Sequence, residues 1–133
     1  MIHCDWTPFD DLYRFVDTED GCMRILVVGD GKVGHTLAEH LAREGHDVVI
    51  VDRSEEVLQR SEDTLDVLCV RGNGANAATL VDAGADKADI IIAATASDET
   101  NMLCCLVAKK LGTNYSIARI RDPEYNDSLT LLQ

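Results

Sequence analysis

The chain has 133 residues, which is enough for one domain with a real core but short for a complete two-domain enzyme. Its composition, 46% hydrophobic and 27% charged residues, is ordinary for a globular protein and argues against disorder. A formal net charge of -12 weighs against nucleic acid as a partner, because phosphate backbones bind basic surfaces. We find no signal peptide and no apolar run near the roughly 18 residues of a membrane-spanning helix, so we expect a cytoplasmic protein.

Residues 1–22 differ in composition from the rest and form an N-terminal extension. Thr7 and Pro8 suit the start of a helix. A short amphipathic helix is one interpretation, with its apolar face packed on the domain or on a partner. The other is a segment that does not belong to the domain. The apolar face of such a helix contains Trp6, Phe9, Leu12, Tyr13 and Val16.

From residue 23 onward the pattern alternates strands and helices. The strands are continuous apolar runs, as a parallel sheet covered on both faces requires. Right-handed crossovers then predict an α/β fold, a doubly wound parallel sheet in the order 3-2-1-4-5 with helices on both faces. The predicted strands are 24–28, 48–52, 66–70, 90–94 and 115–120, and the predicted helices are 32–43, 54–60, 76–83 and 97–111, with another opening at 122–123.

The sequence GDGKVG follows the first of these strands and opens the first helix. This G-x-G-x-x-G spacing, in that context, predicts a Rossmann-type dinucleotide-binding turn. Gly29 permits the tight turn, Gly31 lets the backbone approach a pyrophosphate, and Gly34 lets the helix pack closely on the strand. Lys32 lies inside the turn, where it either contacts a phosphate or is a solvated loop lysine.

Asp52 ends the second strand, where a carboxylate accepts hydrogen bonds from the hydroxyl groups of an adenosine ribose. A 2′-phosphate at that place meets like charge, so we expect NAD(H) to be preferred to NADP(H). Arg53 either stacks on adenine, is solvated, or holds a 2′-phosphate. With Asp52 beside it, the first two roles are favoured.

Polar turns also follow the third and fourth strands. Asn73 and Gly74 belong to the turn RGNG, and Thr95 and Ser97 belong to ATASDETN. Ligands of open α/β sheets bind at the carboxyl edge of the strands, where these turns meet. Ser97 also suits the cap of the following helix.

Groups for catalysis or for metal binding are not evident. No Tyr-x-x-x-Lys pair is present, and no histidine falls at the expected nicotinamide end of the sheet. The five cysteines make no metal-ligand spacing and are interpreted as reduced, mostly buried thiols. We therefore predict a protein that binds a nucleotide without reacting with it.

Together these motifs resemble the nucleotide-binding domain of potassium-transport regulators, the RCK or KTN family, and specifically the N-terminal domain of a Trk-type potassium-uptake regulatory subunit. The resemblance runs from MRILVVGDGKVG through EGHDVVIVD and RGNG to ADIIIAATASDETN and IARIRDPEY. The last two blocks are the specific part, since generic dehydrogenases do not share them. Asn73 departs from the family, which usually has an acidic residue there.

The resemblance implies a non-catalytic sensor in residues 23–133, cut before the C-terminal domain that follows in the family. Such domains bind NAD(H), or ATP and ADP in related members. They form homodimers or larger rings, and act from the cytoplasmic face of the membrane on a potassium transporter or channel subunit. Arg119 then lies near the phosphates or a neighbouring subunit, or forms a strand-end ion pair. The expected nucleotide-binding residues are Gly29, Gly31, Lys32, Val33, Gly34, Asp52, Arg53, Asn73, Gly74, Thr95, Ala96, Ser97 and Arg119.

Two alternatives stay open at this level. One is the NAD-binding domain of an oxidoreductase that lacks its substrate domain. The other is an interaction module whose fold serves only for dimerisation. Chain length and the missing proton-transfer pair disfavour the first, and the complete fingerprint disfavours the second.

Overall fold

A computed structural model of the chain describes residues 3–4 and 21–125. Parallel strands alternate with helices from Arg24 onward. In chain order the elements are β1 (His3–Cys4), β2 (Arg24–Val28), α1 (Lys32–Arg43), β3 (Asp47–Asp52), α2 (Glu55–Thr64), β4 (Leu68–Arg71), α3 (Ala77–Asp82), a 3-10 turn (Ala85–Lys87), β5 (Ile90–Ala93), α4 (Asp98–Leu111), β6 (Tyr115–Ile120) and a 3-10 turn (Pro123–Tyr125).

The sheet has six parallel strands in the order β1-β6-β5-β2-β3-β4. The five strands from Arg24 onward confirm the predicted 3-2-1-4-5 order. At the centre, Val28 is in register with Val51 on one side and with Ala93 on the other. The carboxyl ends of β2, β3 and β5 therefore meet at one edge of the sheet.

The sixth strand was not predicted. His3 and Cys4 pair with Arg119 and Ile120, so the start of the chain extends the sheet beyond β6. The amphipathic helix considered for residues 6–16 lies outside the described residues.

Two buried clusters explain why the central strands are uniformly apolar. One face of the sheet packs α3 and α4 through residues such as Leu80 and Cys104. The other packs α1 and α2 through residues such as Leu37 and Leu58. Both faces of β2 and β5 are thus removed from water, which is the main stabilising effect in such a fold.

Several element boundaries differ from the prediction. Helix α2 continues to Thr64, one turn beyond the predicted end, and the added turn buries Ser61 against the domain. Strand β4 begins at Leu68 rather than at residue 66. After Gly84, at φ +89°, the chain makes a 3-10 turn before β5. The helix predicted to open at Pro123 begins as a 3-10 turn, and its continuation is outside the described residues.

The four cysteines between residues 21 and 125 are free thiols. Cys104 and Cys105 are buried, Cys69 is half-buried and Cys22 is exposed. Within the same range, none of the helices combines the length and apolarity needed to cross a membrane.

Candidate functional site

A cleft of about 400 Å³ opens at the carboxyl edge of the sheet, where the strand order reverses. Its size is within the usual range of small-molecule sites. It collects residues from the ends of four strands and the turns that follow them. The lining residues are Val28, Gly29, Gly31, Val51, Asp52, Arg53, Gly72, Asn73, Gly74, Ala94, Thr95, Ala96, Ser97 and Thr100.

The glycine turn, residues 29–34, packs closely against its strand and is open toward the cleft. Gly29 has φ +99°, and its N–H donates to the Val51 carbonyl at 2.8 Å. A Cβ at Gly34 would clash with the Gly29 carbonyl oxygen, so only glycine lets α1 begin here. A Cβ at Gly31 would meet nothing within 4 Å. Backbone at Gly31 is therefore accessible to a ligand.

The first turn of α1 has amide groups available for an anion. Its N-cap residue is Gly31, which supplies no side-chain cap, and its first turn has no acidic residue. By contrast, α2, α3 and α4 are capped by Ser54, Asn76 and Ser97. Unpaired N–H groups and the helix dipole together favour a phosphate at the start of α1.

The Asp52 carboxylate is held by two backbone donors. Its Oδ2 accepts the Asp30 N–H at 2.7 Å, and its Oδ1 accepts the Ser54 N–H at 2.8 Å. Each carboxylate oxygen keeps further acceptor capacity. Because Asp52 is only half-buried and lines the cleft, that capacity is accessible to ribose hydroxyl groups.

Asp30, between the first two glycines, is buried rather than exposed in the turn. Its Oδ2 accepts the Ser61 hydroxyl at 2.5 Å, and its Oδ1 lies 3.3 Å from His35 Nδ1. We call Asp30, His35 and Ser61 the Asp30 network. Sequence reasoning missed it, because the second position of G-x-G-x-x-G tolerates many residues and Ser61 is far along the chain.

The wall formed by β5 and α4 is fixed by a buried amide. Asn101 Oδ1 accepts from the Thr95 N–H at 2.9 Å and from its hydroxyl at 2.7 Å. Asn101 Nδ2 donates to the Thr95 carbonyl at 3.1 Å and to the Arg119 carbonyl at 2.7 Å. This amide therefore joins the turn after β5 to β6.

The turn after β4 completes the opposite wall. A Cβ at Gly74 would clash with the Val28 side chain, so the chain can pass over β2 only with glycine at this position. Asn73 turns its side-chain oxygen toward the Ala75 N–H at 2.9 Å. Asn73 thus stabilises its own turn.

Nine of the thirteen predicted residues line the cleft, and the other four do not: Lys32, Val33, Gly34 and Arg119. Val33 packs against the α1 side of the core, and Lys32 lines a separate cleft between α1 and α2. Arg119 contributes its backbone carbonyl to the Asn101 contact. Gly72 and Thr100 line the cleft without having been selected, although Gly72 lies in the turn RGNG and Thr100 follows Ser97 by one helical turn.

Charged groups are few in this cleft: Asp52 and Arg53 are the titratable side chains in its lining. Arg71, beside them, is paired with Glu55 at 3.2 Å. Across residues 3–4 and 21–125, no cluster of His, Cys, Asp and Glu side chains is arranged to hold a metal ion. The arrangement is suited to binding an adenosine and phosphates through backbone amides and one oriented carboxylate.

Comparison with known proteins agrees with this geometry. Residues 25–133 match the family model described as the TrkA-N domain. The chain belongs to the TrkA-N domain family. It is 44% identical over 105 residues to the Trk system potassium uptake protein TrkA homolog of Archaeoglobus fulgidus, a match that covers 79% of this chain and 24% of that relative. This TrkA-N chain thus spans about a quarter of the relative's length.

Solved structures with a similar fold include a channel and a putative oxidoreductase. The structure of the GsuK channel bound to NAD has 26% sequence identity and a TM-score of 0.71, over 85% of this chain and 20% of that one. A putative short chain dehydrogenase/reductase family oxidoreductase from Aeromonas hydrophila has 20% identity and a TM-score of 0.55, over 66% of this chain and 51% of that one. The latter likeness is one of fold alone.

Proposed function

We propose that this chain is a nucleotide-sensing regulatory domain of a potassium uptake system, and that it binds NAD(H) in the cleft at the carboxyl edge of the sheet. The observation that carries the proposal is the pairing of an uncapped α1 start with the oriented carboxylate of Asp52. One feature suits a phosphate and the other a ribose. Membership of the TrkA-N family and the NAD bound to the GsuK channel support the same ligand.

In this proposal the phosphates bind at the glycine turn, and Asp52 and Arg53 flank the adenosine. Asn73 and Gly74 contact the adenine side, while Thr95, Ala96 and Ser97 contact the second nucleotide. Lys32 is exposed, and its long flexible side chain is proposed to reach a phosphate from the rim. Val33 and Gly34 contribute through their amide groups at the start of α1, and Arg119 acts beside the Thr95 turn.

Asp52 should also select against NADP(H). A 2′-phosphate would sit against a carboxylate that already has a fixed orientation. Like-charge contact of this kind lowers affinity by at least about tenfold. ATP and ADP offer the same ribose and phosphates, so they are the second ligand candidates.

The cleft favours a sensor over an oxidoreductase. Neither of its charged lining residues is placed as a proton-transfer group: the Asp52 carboxylate is engaged by two backbone N–H groups, and the Arg53 guanidinium has hydrogen-bond donors but no acceptor. We therefore propose that residues 23–133 form the nucleotide-binding domain and that the bound nucleotide is not chemically changed.

Regulation requires that the nucleotide bind one arrangement of the whole protein more tightly than another. We propose a cytoplasmic protein, paired or assembled into a ring, that acts on a membrane potassium transporter or channel subunit. A coupling of roughly 1–3 kcal/mol changes the equilibrium of the pore about 5- to 150-fold. The name of the Archaeoglobus relative supports the transport system.

A thermal-shift titration of the chain with NADH, NAD, NADPH, ATP, ADP and AMP tests the ligand. We expect stabilisation by NADH or ATP and little by NADPH. Asp52→Asn should weaken NADH binding, whereas Asp47→Asn, at the other end of strand β3, should not. The proposal fails if none of these nucleotides stabilises the chain, or if the two variants behave alike.

A further inference from the structure

The Asp30 network lies next to the proposed ribose site without lining the cleft. Asp30 is 5% exposed and Ser61 is fully buried, although one lies in the glycine turn and the other in the middle of α2. Their hydrogen bond connects two segments that are 31 residues apart. A buried carboxylate must be compensated by donors, and here Ser61 and His35 supply them.

The direction of these hydrogen bonds follows from the chemistry of the groups, because a carboxylate only accepts. The Ser61 hydroxyl donates to Asp30 Oδ2, so its oxygen is left as an acceptor. His35 Nδ1 lies 3.0 Å from that oxygen and 3.3 Å from Asp30 Oδ1. A proton on Nδ1 therefore satisfies both contacts. Asp30 is held from α1 by His35 and from α2 by Ser61.

These contacts continue to Asp52. The Asp30 N–H donates to Asp52 Oδ2, and the N–H of Ser54, the N-cap of α2, donates to Asp52 Oδ1. Ser61, further along α2, returns to Asp30 and closes a ring of hydrogen bonds. The orientation of the Asp52 carboxylate consequently depends on where α2 holds Asp30.

We propose that Asp30 and Ser61 are positioning residues for nucleotide specificity: they fix the Asp52 carboxylate so that it recognises the ribose 2′-hydroxyl. This inference rests on the proposed function of the cleft and names residues that act behind it. Without Ser61, the turn keeps its glycines but Asp30 loses its strongest donor. The Asp52 carboxylate can then adopt a second orientation, in which it binds the ribose 2′-hydroxyl less well.

The test compares ADP with 2′-deoxy-ADP by isothermal titration calorimetry on the full chain. A hydrogen bond to a charged group is worth about tenfold in affinity, so the native chain should prefer ADP by roughly that factor. In Ser61→Ala the preference should fall to about twofold or less. Thr64→Ala is the matched control, because the Thr64 hydroxyl donates only within α2, to the Arg60 carbonyl. It should keep the native ratio.

The ratio separates positioning from a merely structural role, since a less stable fold lowers both affinities and leaves their ratio unchanged. If Ser61→Ala does not fold, Asp30→Asn decides, because an NH2 group then replaces one of the two carboxylate oxygens that Ser61 and His35 contact, and that donor loses its acceptor. A native ratio in the folded variants overturns the inference and leaves the proposed function intact, as does a native chain that binds both ligands equally. A native chain that binds NADH but neither ADP nor 2′-deoxy-ADP overturns this inference alone, whereas a native chain that binds none of the three overturns the proposed function as well.

Discussion

Gly34 and Gly31 belong to one turn but have different physical roles. Gly34 is buried, and a side chain there meets the Gly29 carbonyl at the base of α1. Gly31 is exposed and faces open space. Gly34 is therefore required by the fold, whereas we propose that Gly31 serves the approach of the ligand.

Gly34→Ala should destabilise the chain by about 3 kcal/mol or more, because the added methyl group forces the helix and strand apart. Gly31→Ala should change stability by less than about 1 kcal/mol yet weaken NADH binding, since its methyl group occupies the path of the phosphates. Urea unfolding and NADH titration of both variants check this. Equal stability losses at the two positions would contradict the division of roles.

The buried thiols give a second prediction at this scale. Burial, with the charges of Glu62 and Asp30, raises the pKa of Cys69 from 9.0 to about 11. Burial raises the pKa of Cys105 to about 12 and that of Cys104 still further. A raised pKa keeps the thiol neutral, and the neutral thiol is a poor nucleophile.

In the folded chain, Cys69, Cys104 and Cys105 should react slowly with iodoacetamide from pH 7 to about 10. Exposed Cys22 should react quickly and serves as the internal control. Mass spectrometry of a Cys4→Ser variant, whose remaining cysteines are these four, measures each site. Fast labelling of Cys104 in the folded state would contradict this prediction, because it would mean that the reagent reaches the core beneath α4.

Only part of the site could be predicted at the residue scale. Gly29, Asp52 and Thr95 were recognised because their positions relative to strand ends have a general meaning. Asp30 and Ser61 were not, because a buried Asp–Ser contact depends on how α2 packs, which no local pattern encodes. Lys32 was predicted from its place in the glycine turn; it lines the separate cleft between α1 and α2, and its contact with a phosphate stays a prediction.

Helix α4 joins the turn after β5, which lines the cleft, to the end of β6. Ser97 caps it by accepting the Thr100 N–H at 3.1 Å. Asp98 accepts the N–H groups of Arg121 and Asp122 at 3.1 and 2.8 Å, so the helix start also holds the turn after β6. One turn later, Asn101 joins the turn after β5 to strand β6 through the Thr95 and Arg119 carbonyls.

Asn101→Asp should destabilise the chain by about 3 kcal/mol, since a carboxylate would face the Thr95 and Arg119 carbonyls that the native amide donates to. Asn114→Asp, an exposed site of the same chemical change, should have little effect. Thermal and urea unfolding of both variants measure the difference. Equal effects would show that the amide orientation at Asn101 does not matter.

Strands and helices could be predicted from the sequence where they have a clear hydrophobic pattern. β2 and β5 were predicted because both of their faces are buried and their runs are wholly apolar after Arg24. β1 was not, because His3 and Cys4 form a two-residue strand with no pattern to detect. It pairs with β6 through backbone hydrogen bonds, which any side chain permits.

Over the molecule as a whole, the sheet topology favours the carboxyl edge as the binding site that we propose. A different cleft, of about 430 Å³, lies at the amino ends of the strands and is lined by residues such as Gly45, His46 and Asp66. That edge faces the carboxyl ends of the helices, whose dipoles disfavour phosphates. The carboxyl edge presents the uncapped start of α1, and the reversal of strand order leaves room beside it.

The proposed function depends above all on NADH binding at this carboxyl edge, and amide chemical-shift mapping of the ¹⁵N-labelled chain tests that binding directly. Saturating NADH should shift the amide signals of Gly29, Gly31, Asp52, Gly74 and Thr95. Signals from the opposite edge, such as those of Gly45, Asp66 and Gly84, should stay in place. Shifts confined to that opposite edge, or none at all under saturating NADH, would contradict the proposed site.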